Sequence, residues 1–225
     1  MNGETKFMLD WQVIIHYFPF LVKGALITLE ISVISLILGL AAGLVAALCI
    51  LSTNPFLHWP GRFYVWIIRS TPLLVQLFII YFGLPQFGIS LNPFWSGVLA
   101  LALNTGAYNA ETIRGGILAV PKGQQEASRS LGMSKVLTMR RIVLPQAMRL
   151  IIPPLGNNFV ILIKDTSLVS TITLVELTLT AQRLIGSTYK PFEMYLMAAV
   201  LYAILTTCAA LLLGQVERRT TWGHV

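Results

Sequence analysis

Residues 31–51, ISVISLILGLAAGLVAALCIL, contain no charged side chain, and neither do residues 194–216, MYLMAAVLYAILTTCAALLLGQV. A helix crosses the roughly 30 Å hydrocarbon core of a bilayer with about 20 apolar residues, because it satisfies its backbone hydrogen bonds internally. These two runs therefore predict membrane spans and an all-α membrane protein. Three further stretches, residues 63–83, 93–113 and 150–172, have the right length but carry Arg69, Glu111, and Lys164 with Asp165. With the first span extended back to residue 22, the expectation is five transmembrane helices, at 22–51, 63–83, 93–113, 150–172 and 194–216, in one domain covering 1–225. Composition agrees, since 56% of residues are hydrophobic and 11% charged, against roughly 45–50% apolar in soluble domains.

The first twenty residues, MNGETKFMLDWQVIIHYFPF, are mixed and aromatic. They lack the basic start and short apolar core of a signal peptide and read as an amphipathic lead-in at the membrane surface. Basic residues gather on the cytoplasmic side of membrane proteins. With five spans, eleven of the sixteen, from Arg62 to Arg219, fall on one side, against Lys6, Lys23, Arg183 and Lys190 on the other. That asymmetry places the N-terminus outside and the C-terminus in the cytoplasm. It also accounts for the net charge of +7 without nucleic acid, and anionic lipid headgroups are the natural counter-charge. Cys49 and Cys208 lie inside apolar runs, where a thiol packs as a small hydrophobe. His16, His58 and His224 are far apart, so no metal site is expected.

Local signals refine this outline. Gly39 and Gly43 form a small-xxx-small pattern that lets helices approach closely, read here as packing within the chain. Ser70 and Thr71 before Pro72 form a helix-start signal, so residues 59–69 are expected as a short surface helix leading into the second span. The outer stretch, residues 173–193, places Leu177, Ala181 and Leu184 on one side of a short helix ending at Gly186.

The most polar stretch is residues 126–145, EASRSLGMSKVLTMRRIVLP. Pro121 suits a helix start and Gly132 the left-handed position after a helix end. Ser134 can cap a second helix that runs to about Leu144 and stops before Pro145. Ala127, Ser130 and Leu131 share one small face flanked by Glu126 and Arg129, and Lys135, Arg140 and Arg141 suit headgroups or an acidic partner. A re-entry loop obeying the charge rule would account for the basic residues alone. The punctuation is more particular: Glu126-Ala127-Ser128, three residues, Gly132, nine residues, Ile142-Val143-Leu144-Pro145. It resembles the signature of permease subunits of ATP-binding-cassette (ABC) importers, departing only at Ser128, where the family has alanine on what is expected to be a smooth face.

The resemblance extends over most of residues 20–218. The stretch RSTPLLVQL, residues 69–77, is similar to the start of the second span in the polar-amino-acid branch of these permeases, and NTGAYNAETIRGG (104–116) and KDTSL (164–168) are similar to two more of its segments. Within that branch YFGLPQFGI, residues 81–89, most resembles the cystine permeases. The resemblance implies a type I ABC importer permease fold and the transmembrane subunit of an ATP-driven importer of a polar amino acid of the cystine, glutamine, histidine, arginine or glutamate class. It would be a multi-pass protein of the bacterial cytoplasmic (inner) membrane. Implied partners are a second permease subunit, identical or a sister chain, two ABC ATPase subunits and an extracytoplasmic amino-acid-binding protein. The chain has no G-x-x-x-x-G-K-[ST] phosphate loop, which an ATPase needs. It is therefore expected to be no enzyme and to hold no cofactor, with ATP and Mg bound by the partner. The family assigns ATPase coupling to the segment holding Glu126, Ala127, Ser128, Arg129, Leu131, Gly132 and Pro145.

Ionisable residues inside spans are costly and mark functional candidates. At about 1.5 Å per residue, Glu30, Asn104 and Asn158 reach similar depths in their spans, and Lys164 and Asp165 lie further out. An amino acid zwitterion needs donors and acceptors a few ångströms apart, which Glu30, Asn104, Asn158, Lys164 and Asp165 could supply. Structural pairing of Glu30 with a neighbouring helix, and an outer closure made by Lys164 and Asp165, are equally open. Glu111 with Arg114 reads as a helix ion pair. Two other classes weigh less. A stand-alone secondary transporter or channel often shows related halves, which are absent here although Pro153-Pro154 interrupts one span. An intramembrane enzyme would need a nucleophile and base together, and the histidines have no nearby carboxylate in sequence.

Overall fold

A computed structural model describes residues 10–221, and within them the chain is helical with no β-strand. Helix α1 runs from Trp11–Leu51 without interruption. It starts where Asp10 accepts a hydrogen bond from Val13 N. The part of the expected surface lead-in that is described, residues 11–20, is thus the first three turns of α1; residues 1–9 lie outside the described residues. Two helices, α1 and the last one, α9 (Pro191–Thr221), are long and apolar enough by themselves to cross a membrane.

The second expected span, residues 63–83, is not one rod. Helix α2 (Pro55–Ser70) and helix α3 (Leu73–Phe78), which continues through a π turn to Gly83 and a 3-10 turn to Phe87, meet at 107°. The break falls at the helix-start signal, but the hydroxyl is used otherwise. Thr71 Oγ1 donates back to Ile67 O at 2.8 Å and no side chain caps α3. The preceding helix also begins at Pro55, capped by Asn54, not at residue 59.

Helix α4 (Pro93–Leu118) packs along α1. A Cβ on Gly43 would lie 2.7 Å from the Asn109 Cβ and 2.9 Å from Gly106 O, so the small-xxx-small pattern lets α1 and α4 touch backbone to backbone inside this chain. Helix α5 (Lys122–Ser130) follows, then α6 (Lys135–Thr138), a π turn (Met139–Val143) and α7 (Leu144–Asp165). The expected stop before Pro145 does not occur, because Leu144 N reaches back to Met139 O. The widened turn accommodates a proline that brings no N–H, and the helix runs on into the fourth expected span. A 3-10 segment (Thr166–Ile172) leads to α8 (Leu177–Thr188). That helix passes Gly186 and ends at Tyr189, whose φ of 55° is left-handed.

Three apolar clusters hold these helices. Ala47, Ala107, Ala110, Val143 and Ala147 join α1, α4, the π turn and α7 at one end. Ile31, Leu77, Leu101, Leu162 and Ile172 join α1, α3, α4, α7 and the 3-10 segment in the middle. Leu21, Leu177, Ala181 and Met194 join α1, α8 and α9 at the other end. Leu177 and Ala181 of α8 face inward as the spacing predicts.

Candidate functional site

The break between α2 and α3 frees backbone groups that a membrane protein must satisfy internally. Gln76, on the first turn of α3, does this. Its Nε2 lies 2.7 Å from Ile68 O, 3.1 Å from Thr71 O and 2.9 Å from Thr71 Oγ1. Its other amide atom, Oε1, accepts from Asn104 Nδ2 at 3.1 Å. The irregular turn is therefore locked to α4. Sequence reasoning missed Gln76, and the signal available was a polar residue four positions after Pro72 in an apolar run.

That locked turn forms one wall of a cavity of about 360 Å³. Thr71, Pro72 and Leu73 lie on one side, Asn104, Thr105 and Tyr108 of α4 on another, and Asn158, Ile161, Leu162 and Asp165 of α7 on the third. Asn104, Asn158 and Asp165, three of the five residues expected to meet a substrate, thus converge on one space. Glu30 and Lys164 do not: both are exposed on their helices and line neither this cavity nor its neighbour. Their helical phase turns them outward.

Asn158 Nδ2 donates to Asn109 Oδ1 at 3.0 Å and lies 3.5 Å from Thr112 Oγ1. Asn109 is fully buried, and its own Nδ2 has no partner among the described residues. A buried amide with an unused donor is a costly arrangement, and here it stands directly behind the cavity wall.

The second candidate region is the segment from α5 to the π turn. Gly132 has φ 80°, the left-handed turn expected of it, and Met133 N closes the turn on Ser128 O at 3.1 Å. Ser134 caps α6 through Leu137 N at 3.3 Å. Glu126, Ala127, Arg129 and Ser130 are exposed, and Leu131 and Val136 are 83% and 77% exposed. Ser128 departs from the smooth outward face expected of it. It is buried, donates to Gln125 O at 2.8 Å, and its Oγ lies 3.0 Å from Thr138 Oγ1. Ser128 joins α5 to α6, while its neighbours offer an outward surface. Pro145, also exposed, lies in the first turn of α7, within the continuous helix that follows.

A third polar centre was not anticipated. Glu176, fully buried, caps α8 through Thr178 N at 2.8 Å and Leu179 N at 2.9 Å. Its Oε2 also accepts from Tyr202 Oη of α9 at 2.8 Å and from Thr28 Oγ1 of α1 at 3.3 Å. Burial pushes this carboxyl above the usual carboxylate range, although the four donors pull the other way. Nothing but its position before a helical run could have marked it in the sequence.

Near α2, Arg114 holds Glu111 with its Nη2 2.8 Å from Oε2, the helix pair expected, and Arg69 approaches the same oxygen at 4.0 Å. No group of His, Cys, Asp and Glu able to hold a metal exists among the described residues.

The chain resembles known proteins along nearly its whole length. It is 45% identical to an octopine transport system permease protein of Rhizobium meliloti over 88% of this chain and 84% of that one. It is 43% identical to the L-cystine transport system permease protein of Bacillus subtilis, over 94% of this chain and 91% of the relative. It is 40% identical to the glutamine transport system permease protein of Escherichia coli, covering 93% and 97%. Among solved structures, a chain of an amino acid ABC transporter crystallised with histidines matches with a TM-score of 0.89 at 40% identity, over 95% of this chain and 100% of that chain. The fold also recurs in an inward facing MetNI methionine ABC transporter, with a TM-score of 0.76 at 21% identity over 95% and 99%. Residues 37–222 match the family described as the binding-protein-dependent transport system inner membrane component, and the chain belongs to that family.

Proposed function

We propose that this chain is the transmembrane permease subunit of an ATP-driven importer of a polar amino acid and forms the translocation pathway. The carrying observation is the cavity in which Asn104, Asn158 and Asp165 converge beside a broken helix. Irregular backbone at membrane depth is tolerated where it lines a cavity, and transporters place their sites at such breaks. The arrangement suits a zwitterion: Asp165 takes the ammonium group, while the amides of Asn104 and Asn158 supply donors and acceptors. Among relatives named for cystine, glutamine and octopine transport, the shared chemistry is the amino acid backbone, which these three residues would recognise.

Five spans account for the membrane domain in this reading. They are α1, the bent pair α2 and α3, α4, α7 and α9, with the N-terminus outside and the C-terminus in the cytoplasm of a bacterial inner-membrane protein. At about 1.5 Å per residue, α4 and α7 are long enough although their polar residues lower their mean hydropathy. Two ABC ATPase subunits would bind ATP and Mg and dock on the surface of Glu126, Ala127, Arg129 and Leu131, with Gly132 as the joint. A second permease subunit and an extracytoplasmic amino-acid-binding protein would complete the complex. Two nearly fully exposed apolar residues, Leu131 and Val136, beside a charged helix support that docking.

The test replaces Asn158 and Asp165 singly by leucine in the complete transporter in proteoliposomes. Uptake of radiolabelled cystine, glutamine or arginine should fall at least about tenfold, the scale of losing one charged or paired contact, while affinity for the binding protein is unchanged. Full uptake by both variants removes the cavity from the pathway. Uptake without any ATPase would instead favour a secondary transporter.

A further inference from the structure

Adjoining the substrate cavity is a larger one of about 900 Å³, bounded by the end of α1 at Ile50–Ser52, by α2, and by the end of α4 at Leu118. It lies at the end of α4 from which the α5–α6 segment departs. Its polar lining includes His58, Arg62, Arg69, Glu111 and Arg114, so three guanidinium groups face one carboxylate. Glu111 is engaged chiefly by Arg114, with Nε and Nη2 at 2.8 to 3.3 Å. The Nδ1 of His58 lies 2.7 Å from Ile50 O, and the Arg62 guanidinium rests 6.0 Å from the Trp59 ring.

One side chain lines both cavities: Tyr108, one helical turn beyond Asn104. The guanidinium carbon of Arg69 lies 5.3 Å from the centre of its ring. The Arg69 contact to Glu111, at 4.0 Å, is long, with both side chains partly exposed. A cation over a ring face, backed by a loose ion pair, is a closure that separates two spaces and opens without breaking a strong bond.

We propose that the arginine-lined cavity is a release station for the departing amino acid, taking its α-carboxylate, and that Arg69 lying over Tyr108 is the partition between it and the substrate cavity. This rests on reading the Asn104, Asn158 and Asp165 cavity as the substrate site. Charge gives the direction. Asp165 in the first cavity holds the ammonium group and repels the carboxylate, whereas the excess of guanidinium groups in the second attracts it.

The experiment uses the complete transporter in liposomes preloaded with radiolabelled cystine, glutamine or arginine, whichever the parent accumulates, and follows efflux without ATP. Tyr108→Ala should raise efflux roughly fivefold, the population change that loss of such a contact gives. Tyr108→Phe, which keeps the ring, should match the parent. Arg69→Gln, which leaves the ring and core in place, should also leak and serves should Tyr108→Ala fail to assemble. For the station, Arg62→Gln should lower the Vmax of ATP-driven uptake about threefold at unchanged KM, and Arg62→Lys should restore it. Parental efflux in Tyr108→Ala or Arg69→Gln overturns the partition, and parental Vmax in Arg62→Gln overturns the station. Failure of the substrate site itself shows separately, as full uptake by the Asn158 and Asp165 variants.

Discussion

Ser128 Oγ lies 3.0 Å from Thr138 Oγ1, across the left-handed turn at Gly132. That contact ties the exposed helix α5 to α6, and α6 is continuous with α7, which carries Asn158 and Asp165 to the cavity. A surface that a partner could grip is thereby joined to the site by a bonded turn followed by helix.

Ser128→Ala keeps the volume of the packed position and loses a single hydroxyl. It should cost at most about 1.5 kcal/mol and leave ATPase binding intact. Ser128→Leu overfills a buried position and should cost roughly 1–3 kcal/mol, displacing α5. Thermal unfolding of the purified complex, with co-purification of the ATPase, separates the two.

Gly132→Val places a β-branched side chain at φ 80°, where such residues are rare outliers. The strain should be about 1–3 kcal/mol, and substrate-stimulated ATP hydrolysis should fall with the helical fold intact. Undiminished stimulation, here or in Glu126→Lys, would remove the segment from coupling.

Gln76→Leu strips the α2–α3 break of its bonds to Ile68 O and Thr71 O, and Asn104 of its acceptor. Stability should drop by roughly 1–3 kcal/mol for each buried group left unpaired, and uptake should be lost. Gln76→Glu, which keeps an acceptor for Asn104 but offers no N–H to the carbonyls, should not rescue it. Thermal stability and uptake in proteoliposomes report both effects.

Glu176 gives a pH dependence with a definite sign. Its folded pKa is raised by burial, so between the usual value of about 4.3 and the raised one the folded state binds more protons than the unfolded. Its contribution to stability is therefore fully present below the usual carboxylate pKa and falls as pH rises through the folded value. Glu176→Gln should flatten that slope, and should itself lose stability because an amide NH₂ would face one of the backbone N–H donors. Unfolding temperatures across pH, parent against variant, test this.

The all-helical class, the left-handed turn at Gly132 and the packing of Gly43 were legible because each follows from local rules: hydrophobic length, a glycine just past a helix end, and a missing Cβ. Helical phase was harder. Glu30 shares its depth with Asn104, yet it is exposed and outside the cavity, because α1 lies against α4 along Gly39 and Gly43 and turns Glu30 elsewhere. The break at Thr71 was marked by Pro72 but its 107° bend was not, since Gln76 and Asn104 fix the turn from different helices. Ser128 looked outward by its small size; only the return of the chain through Gly132 puts Thr138 over it. Glu176 draws partners from α1, α8 and α9, and such a junction has no local signature.

Through the π turn before Pro145, Lys135 to Asp165 stay helical without a break for 31 residues, about 46 Å of helix. Its only proline pair beyond that turn, Pro153 and Pro154, precedes Asn158 by one turn. A partner that turned the Gly132 end would meet no loop before that point. Bending would concentrate where the prolines remove hydrogen bonds, one turn before Asn158, so the helix is most pliable beside the cavity.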